Sequence, residues 1–306
     1  MPRLTDTLQG HLAMLVFAAL VAGSYSVGAM AANEIAPTAL SAARFLLAAV
    51  LMLALAPLIG RPLRRAHLAA PWRYGLLGAL FAIYFVLMFE ALKTAPPVST
   101  AAVFTLTPLM AAGLGWLLLR QRLTGRMAVA LGIGGVGALW VVFRADLAAL
   151  LAFEVGRGET LFFFGCLAHA ALPPVLRRLD RGEPQVVSNG LVMVGGCVVL
   201  MVAAWREILA TDWLNLPAIV WITLAYLAVV TTALSFFLLQ FAGRRIPAAK
   251  VMAYTYLVPS FVILWELALG NPPPPGLILP GIGLSILALL LLLKDEGEHT
   301  PFRAAG

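Results

Sequence analysis

The sequence predicts an all-α integral membrane protein: ten transmembrane helices forming two inverted five-helix repeats, with both termini in the cytoplasm. Three observations carry this. First, 62% of the 306 residues are apolar and only 11% are charged, against about 25% charged in an ordinary soluble domain. A water-soluble globule with that composition lacks the charge to stay dispersed, and a disordered chain would be polar. Second, ten runs are free of Asp, Glu, Lys and Arg, each long or nearly long enough to cross a core of roughly 30 Å. Third, the Lys and Arg between those runs alternate in abundance from one side to the other.

The first run, 12–33, holds Ser24 and Tyr25. Ala29-Met30-Ala31 resembles a signal-peptide cleavage site, but the apolar region is too long for one, so the run is expected to stay as a span. The second run, 45–60, extends back towards Pro37 with Arg44 interrupting it. Arg44 lies about 10 Å into that helix, where a charge costs at least about 2.5–3.5 kcal/mol. Two readings are open: it snorkels outward or pairs with Glu34 or Glu90, or it attracts a substrate carboxylate. The third run, 74–89, carries Tyr84 and Met88, and is followed by Glu90 three residues before Lys93, an interfacial pair on one helical face. Pro96 opens the fourth run, 94–119, and Pro108 sits midway along it, beside Phe104, Thr105 and Thr107.

The fifth run, 127–143, contains Gly132-Ile-Gly-Gly-Val-Gly137. That matches a dinucleotide-binding pattern, which needs a preceding strand; inside an apolar span, small residues for close helix packing are expected instead. A linker of mixed charge, 144–159, leads to the sixth run, 160–176, with Cys166, His169 and Pro173-Pro174. His169 reads as a packed polar residue, with proton carriage as the alternative. Cys166 in this run and Cys197 in the seventh, 184–205, read as small apolar core residues. The eighth, 213–243, carries Ser235 and Gln240. Pro247 opens the ninth, 251–265, and Pro259 lies midway, beside Tyr254, Thr255 and Tyr256. The tenth, 267–293, is trimmed by the Pro/Gly-rich stretch 270–276.

With the N-terminus inside, 16 positive charges fall in inner segments: Arg3; Arg61, Arg64, Arg65, Arg73; Arg120, Arg122, Arg126; Arg177, Arg178, Arg181; Arg244, Arg245, Lys250; Lys294 and Arg303. Four fall outside: Lys93, Arg144, Arg157 and Arg206. Positive loops mark the cytoplasmic side, and a miscounted span would spoil the contrast. The net charge of +7 thus reports membrane orientation, and nucleic acid is excluded as a partner.

A shift of 151 residues superposes Pro96 on Pro247, Pro108 on Pro259, Gly125 on Gly276 and Gly132 on Gly283, with Ala102 on Ala253 and Leu106 on Leu257. Pro37 and Ser41 meet Pro184 and Ser188 at a shift of 147. The expected units are a first repeat at 12–143, a periplasmic linker at 144–159, a second repeat at 160–293 and a cytoplasmic tail at 294–306. Five is odd, so homologous halves must cross the membrane in opposite senses. Inverted repeats are a recurrent plan of secondary transporters, whose sites lie near midplane at breaks in matching helices. Proline removes a donor to the carbonyl four residues earlier, here those of Phe104 and Thr255. The candidate cavity residues are Ser24, Tyr25, Tyr84, Met88, Phe104, Thr107, His169, Ser235, Tyr254 and Thr255; each could face a cavity or a neighbouring helix, and periodicity does not choose between the two. Pro96, Pro108, Pro247 and Pro259 are the candidate hinges, and Arg44 is the buried charge. Hydroxyls and aromatic faces suit an uncharged or zwitterionic ligand with an apolar or aromatic side chain.

The stretch Glu90-Ala-Leu-Lys-Thr-Ala-Pro-Pro-Val-Ser-Thr-Ala-Ala-Val-Phe-Thr-Leu-Thr-Pro-Leu109, continuing to Thr124, resembles the signature of EamA-domain proteins in the drug/metabolite transporter superfamily. Ala43-Arg44-Phe45-Leu46-Leu47-Ala48-Ala49 is similar to that family's second helix. The resemblance covers the chain as two EamA-like halves. It implies export of metabolites, amino acids or drugs across a bacterial inner membrane, through a central cavity lined by helices three, four, eight and nine, with one and six. The bacterial amino-acid exporters, aromatic amino-acid exporters among them, are the branch it looks most like. Related small multidrug antiporters carry a glutamate in their first helix; here Glu34 lies beyond it. Facilitated export is the expectation, and His169 leaves proton coupling open.

No Walker A, H-E-x-x-H or G-x-S-x-G sequence is present, and the four histidines show no metal-ligand spacing. The expectation is a transporter, not an enzyme, with no cofactor and no metal. Its partners would be a small-molecule substrate and the lipid bilayer, with a monomer as the working unit. The alternatives are a drug or other metabolite exporter, with proton coupling as an option, a membrane enzyme acting on a lipid-linked substrate, and an assembly protein.

Overall fold

A computed structural model describes residues 4–120, 124–143, 146, 155–243, 245–246 and 248–293. Pro247, most of the expected linker and the tail 294–306 lie outside the described residues. The chain is helical, with no strand among the described residues. The first half contains α1 (Leu4–Ala31), α2 (Pro37–Leu58), α3 (Trp72–Ala91), α4 (Pro97–Phe104), α5 (Thr107–Leu119) and α6 (Gly125–Val142). The second contains α7 (Arg157–Leu179), α8 (Gln185–Ala210), α9 (Ala218–Ala225), α10 (Ser235–Gly243), α11 (Ala248–Ala253), α12 (Val258–Ala268) and α13 (Leu279–Leu293).

Proline marks many of the starts. Pro37 and Pro97 occupy first-turn positions, and Pro184 and Pro217 stand just ahead of α8 and α9, where a missing N–H costs nothing. Inside a helix the same residue is disruptive. The fourth span is broken at Thr105–Leu106, immediately before Pro108, and its last N–H groups reach back only three residues, Thr105 to Ala102 and Leu106 to Val103. The ninth is broken by a 3₁₀ turn at Tyr254–Leu257, immediately before Pro259. By contrast, α7 runs through Pro173 and Pro174 unbroken. The eighth span departs from the sequence expectation: α9 and α10 are joined by a π-helical segment, Tyr226–Leu234.

Nine segments among the described residues are long and apolar enough to cross a membrane. They are the expected spans except the ninth, where the apolar helix among the described residues is the shorter Tyr254–Ala268. In the interior, α2 packs on α8, α3 on α7 and α8, α6 on α13, and α1 against α10 and α12. Two of these contacts are backbone to backbone. A side chain on Gly78 would collide with Gly196 of α8. One on Gly137 would lie 2.6 Å from the Gly281 carbonyl, and one on Gly281 2.7 Å from the Gly137 carbonyl. The glycine pattern of the fifth span thus serves helix packing, the expected role.

The helix ends sort into two groups. At one end cluster the loops and termini bearing Arg61, Arg64, Arg65, Arg120, Arg126, Arg181 and Arg245. There Arg73 of α3 forms a 2.6 Å ion pair with Glu183 and also donates to the Leu179 carbonyl at 2.7 Å, tying the two halves together. Burial opposes the Glu183 charge, but the Arg73 hydrogen bond, with the Arg181 N–H, outweighs it and holds this carboxyl at about 2. At the other end, Lys93 pairs with Glu90 at 2.7 Å, as the spacing indicates.

Candidate functional site

A cavity of about 280 Å³ opens between the halves. Its wall takes residues from eight of the ten expected spans. The second and seventh, which the family resemblance does not place in the lining, contribute Arg44 and Met52, and Asn189 and Met193. Met14, Phe17, Val21 and Ser24 line it along the middle of α1, with Leu239 of α10 and Val251 of α11. Over the same stretch and beyond it, α1 is pinned to the second half. The Tyr226 hydroxyl donates to the Leu20 carbonyl (2.6 Å), Trp265 Nε1 to Ala19 (2.8 Å) and Thr223 to Val27 (3.2 Å). Gly23 makes room for this contact: any side chain there would collide with Tyr226 and Trp265.

Of the sequence-selected cavity residues, Ser24, Tyr84, Phe104, His169, Ser235 and Thr255 line the space, together with Arg44. Four do not. Tyr25 is wholly buried behind the wall, its hydroxyl 3.4 Å from that of Tyr84. Met88 is wholly buried in the core, and Thr107 is buried off the cavity beside Pro108. Tyr254 shares a 2.9 Å hydrogen bond with His11 Nδ1, towards the arginine-rich end. Of the hinge prolines, Pro96 precedes α4 as its cap, and Pro108 and Pro259 follow the two breaks.

One wall is aromatic. His169 lies with ring centroids 4.5 Å from Tyr84, 5.6 Å from Phe104 and 6.1 Å from Phe81. Phe81 and Phe85 stack at 5.9 Å with planes 8° apart. Phe81 and Phe85 were not selected from the sequence. Their signal is the aromatic set at 81, 84 and 85, which shares one face of a helix.

Arg44 answers one of the two sequence readings. It neither snorkels nor pairs with Glu34 or Glu90: its side chain is buried and Glu90 is held by Lys93. Its guanidinium lies 3.7 Å above the Phe85 ring centroid. Nη2 donates to Thr231 Oγ1 at 3.3 Å and Thr232 Oγ1 at 3.4 Å, and Nη1 has no hydrogen-bond partner. A desolvated cation–π contact is worth about 2 kcal/mol, and hydrogen bonds this long are weak. Burying the ion costs several kcal/mol, so the site under-compensates its charge. Thr231 and Thr232 were also missed, although a threonine doublet in an apolar run is visible in the sequence. What was not visible is the π-helical segment that carries both.

The comparisons with known proteins agree with this architecture. The model of the EamA-like transporter family matches residues 8–143 and 156–294. The Uncharacterized transporter YyaM of Bacillus subtilis (strain 168) is 24% identical over 264 residues, covering 86% of each chain. One crystal structure superposes with a TM-score of 0.65 at 21% identity, over 94% of this chain and 96% of that one, a likeness of fold alone. With both halves matched, the chain belongs to the EamA-like transporter family and is a multi-pass membrane transporter of small molecules.

Proposed function

We propose that this chain exports amino acids with apolar or aromatic side chains across a bacterial inner membrane. In this reading ten spans, with cytoplasmic termini and units at 12–143 and 160–293, form two inverted halves that rock about the breaks at Pro108 and Pro259. The observation that carries the substrate class is the cavity: one small space with an aromatic wall, hydroxyl groups and a single buried cation. At about 280 Å³ it falls just below the roughly 300–1,000 Å³ of drug-sized sites, which favours one small metabolite over a bulky drug. Aromatic faces give apolar side chains a large contact area. Ser24, Tyr84, Phe104, His169, Ser235 and Thr255 are the ligand-facing candidates, with Tyr25 supporting Tyr84 from behind.

The test is uptake by liposomes containing the purified protein, with radiolabelled phenylalanine, tyrosine, threonine and methionine and no ion gradient. Saturable, protein-dependent accumulation to equilibrium is the expected result, with phenylalanine and tyrosine ahead of threonine. Uptake only under an imposed pH gradient would favour the proton-coupled reading, for which His169, lining the cavity with Nδ1 unpartnered, is the candidate. No uptake under either condition would overturn the amino-acid assignment.

A further inference from the structure

We infer that Arg44, held by the threonine pair of the eighth span, is the seat of a carboxylate on the transported solute, so that recognition requires this anion. The inference rests on the transport reading above and adds the charge of the ligand to it. Three features combine. The cation is built into the wall of the cavity and has no acidic partner among the described residues; the two ion pairs there are Arg73–Glu183 and Lys93–Glu90. One face of the guanidinium is occupied by Phe85, which fixes its plane. Its hydrogen-bonding capacity is divided: Nη2 is committed to Thr231 and Thr232, while Nη1 is buried without a partner.

The threonines are set to accept. Both hydroxyls donate their own hydrogen to the Leu227 carbonyl, Thr231 at 2.9 Å and Thr232 at 2.8 Å. Their lone pairs are left for Arg44. One threonine is four residues from Leu227 and the other five, an arrangement found in the π-helical segment Tyr226–Leu234. π-helical stretches inside α-helices are rare and are found frequently at functional sites. Neutral hydroxyls orient the guanidinium without neutralising it, as a carboxylate in their place would. A planar guanidinium fork without an acidic partner, in a wall that is otherwise mostly apolar, is suited to a carboxylate. The stacked Phe81–Phe85 pair and the Tyr84–His169 pair lie beside it in the same wall, so a solute seated on Arg44 presents its side chain to aromatic rings.

The test separates this seat from transport itself. Binding to the purified full-length protein is measured by calorimetry for phenylalanine, 3-phenylpropanoate, 3-phenylpropanamide and phenethylamine. The two carboxylates are expected to bind at least about tenfold more tightly than the amide and the amine, the usual worth of a charge-assisted hydrogen bond. Arg44→Gln should erase that difference, and Arg44→Lys should retain part of it. Thr231→Val combined with Thr232→Val should weaken the carboxylates alone; this pair keeps the test alive if Arg44→Gln does not fold. Equal binding of amide and carboxylate, no binding of either carboxylate, or discrimination that survives Arg44→Gln would overturn the seat and leave uptake to be judged by the liposome assay. Carboxylates that bind through Arg44 but are not moved would overturn the transport reading and leave the seat standing.

Discussion

Arg73 and Glu183 form the strongest isolated electrostatic contact among the described residues, at 2.6 Å and almost fully buried. The Glu183 carboxyl titrates at about 2 when folded, against an ordinary 4.5. A group depressed in this way stabilises the fold above its unfolded pKa, and that stability is lost as pH falls towards the folded one. The thermal midpoint of the wild-type protein should therefore drop between about pH 5 and pH 2 by more than that of Glu183→Gln. At neutral pH the variant should be destabilised by roughly 1–3 kcal/mol, and the two melting curves should converge at low pH. A constant gap between the curves across that window would show that the pair contributes nothing. How legible such residues are depends on sequence distance. Glu90–Lys93 can be read from spacing because helical geometry sets it. The partners of Arg44 lie 187 and 188 residues away, so the sequence presents its charge and depth but not its neighbours.

At the scale of the helix, the glycines of the fifth span differ from one another. Nothing lies within 4 Å of a side chain added to Gly132, whereas one on Gly137 meets the backbone of α13. Gly132→Ala should therefore change stability by no more than about 0.5 kcal/mol. Gly137→Leu should prise α6 from α13 and cost about 2 kcal/mol or more, as overpacking does. Thermal unfolding in detergent, followed by size-exclusion chromatography, measures both; equal effects would refute the packing account. The helices themselves were legible because the bilayer demands long apolar runs, and the breaks because proline lacks a donor. The π segment was not, since apolar residues all round a span give no periodic signal. Met88 and Thr107, which lie outside the lining of this cavity, illustrate the same point: nothing in such a span says which side meets the cavity.

Across the whole molecule, the cavity lies at the level of the helix breaks and of the middle of α1, where Tyr226 and Trp265 also hold α1 to the second half. Positive loops face the cytoplasm, so the arginine-rich end is expected on the inside. In a background lacking Cys166 and Cys197, Leu63→Cys, exposed in the arginine-bearing loop after α2, should react with a membrane-impermeant thiol reagent in inside-out vesicles and resist it in intact spheroplasts. The reverse pattern would invert the topology. A green fluorescent protein fused after Gly306 should fluoresce, as it does in the cytoplasm, and a dark, exported fusion would break the ten-span count. On its own, the sequence determined what the solvent dictates: a membrane fold, the run boundaries, the charge asymmetry and the paired prolines, each a local response to hydrocarbon or to backbone chemistry. Only the tertiary structure decided which side chains share the cavity, that Arg44 meets two threonines rather than a carboxylate, and that α1 is held by Tyr226 and Trp265. Those are contacts between residues far apart in the chain, and apolar spans carry almost no record of the faces they turn to one another.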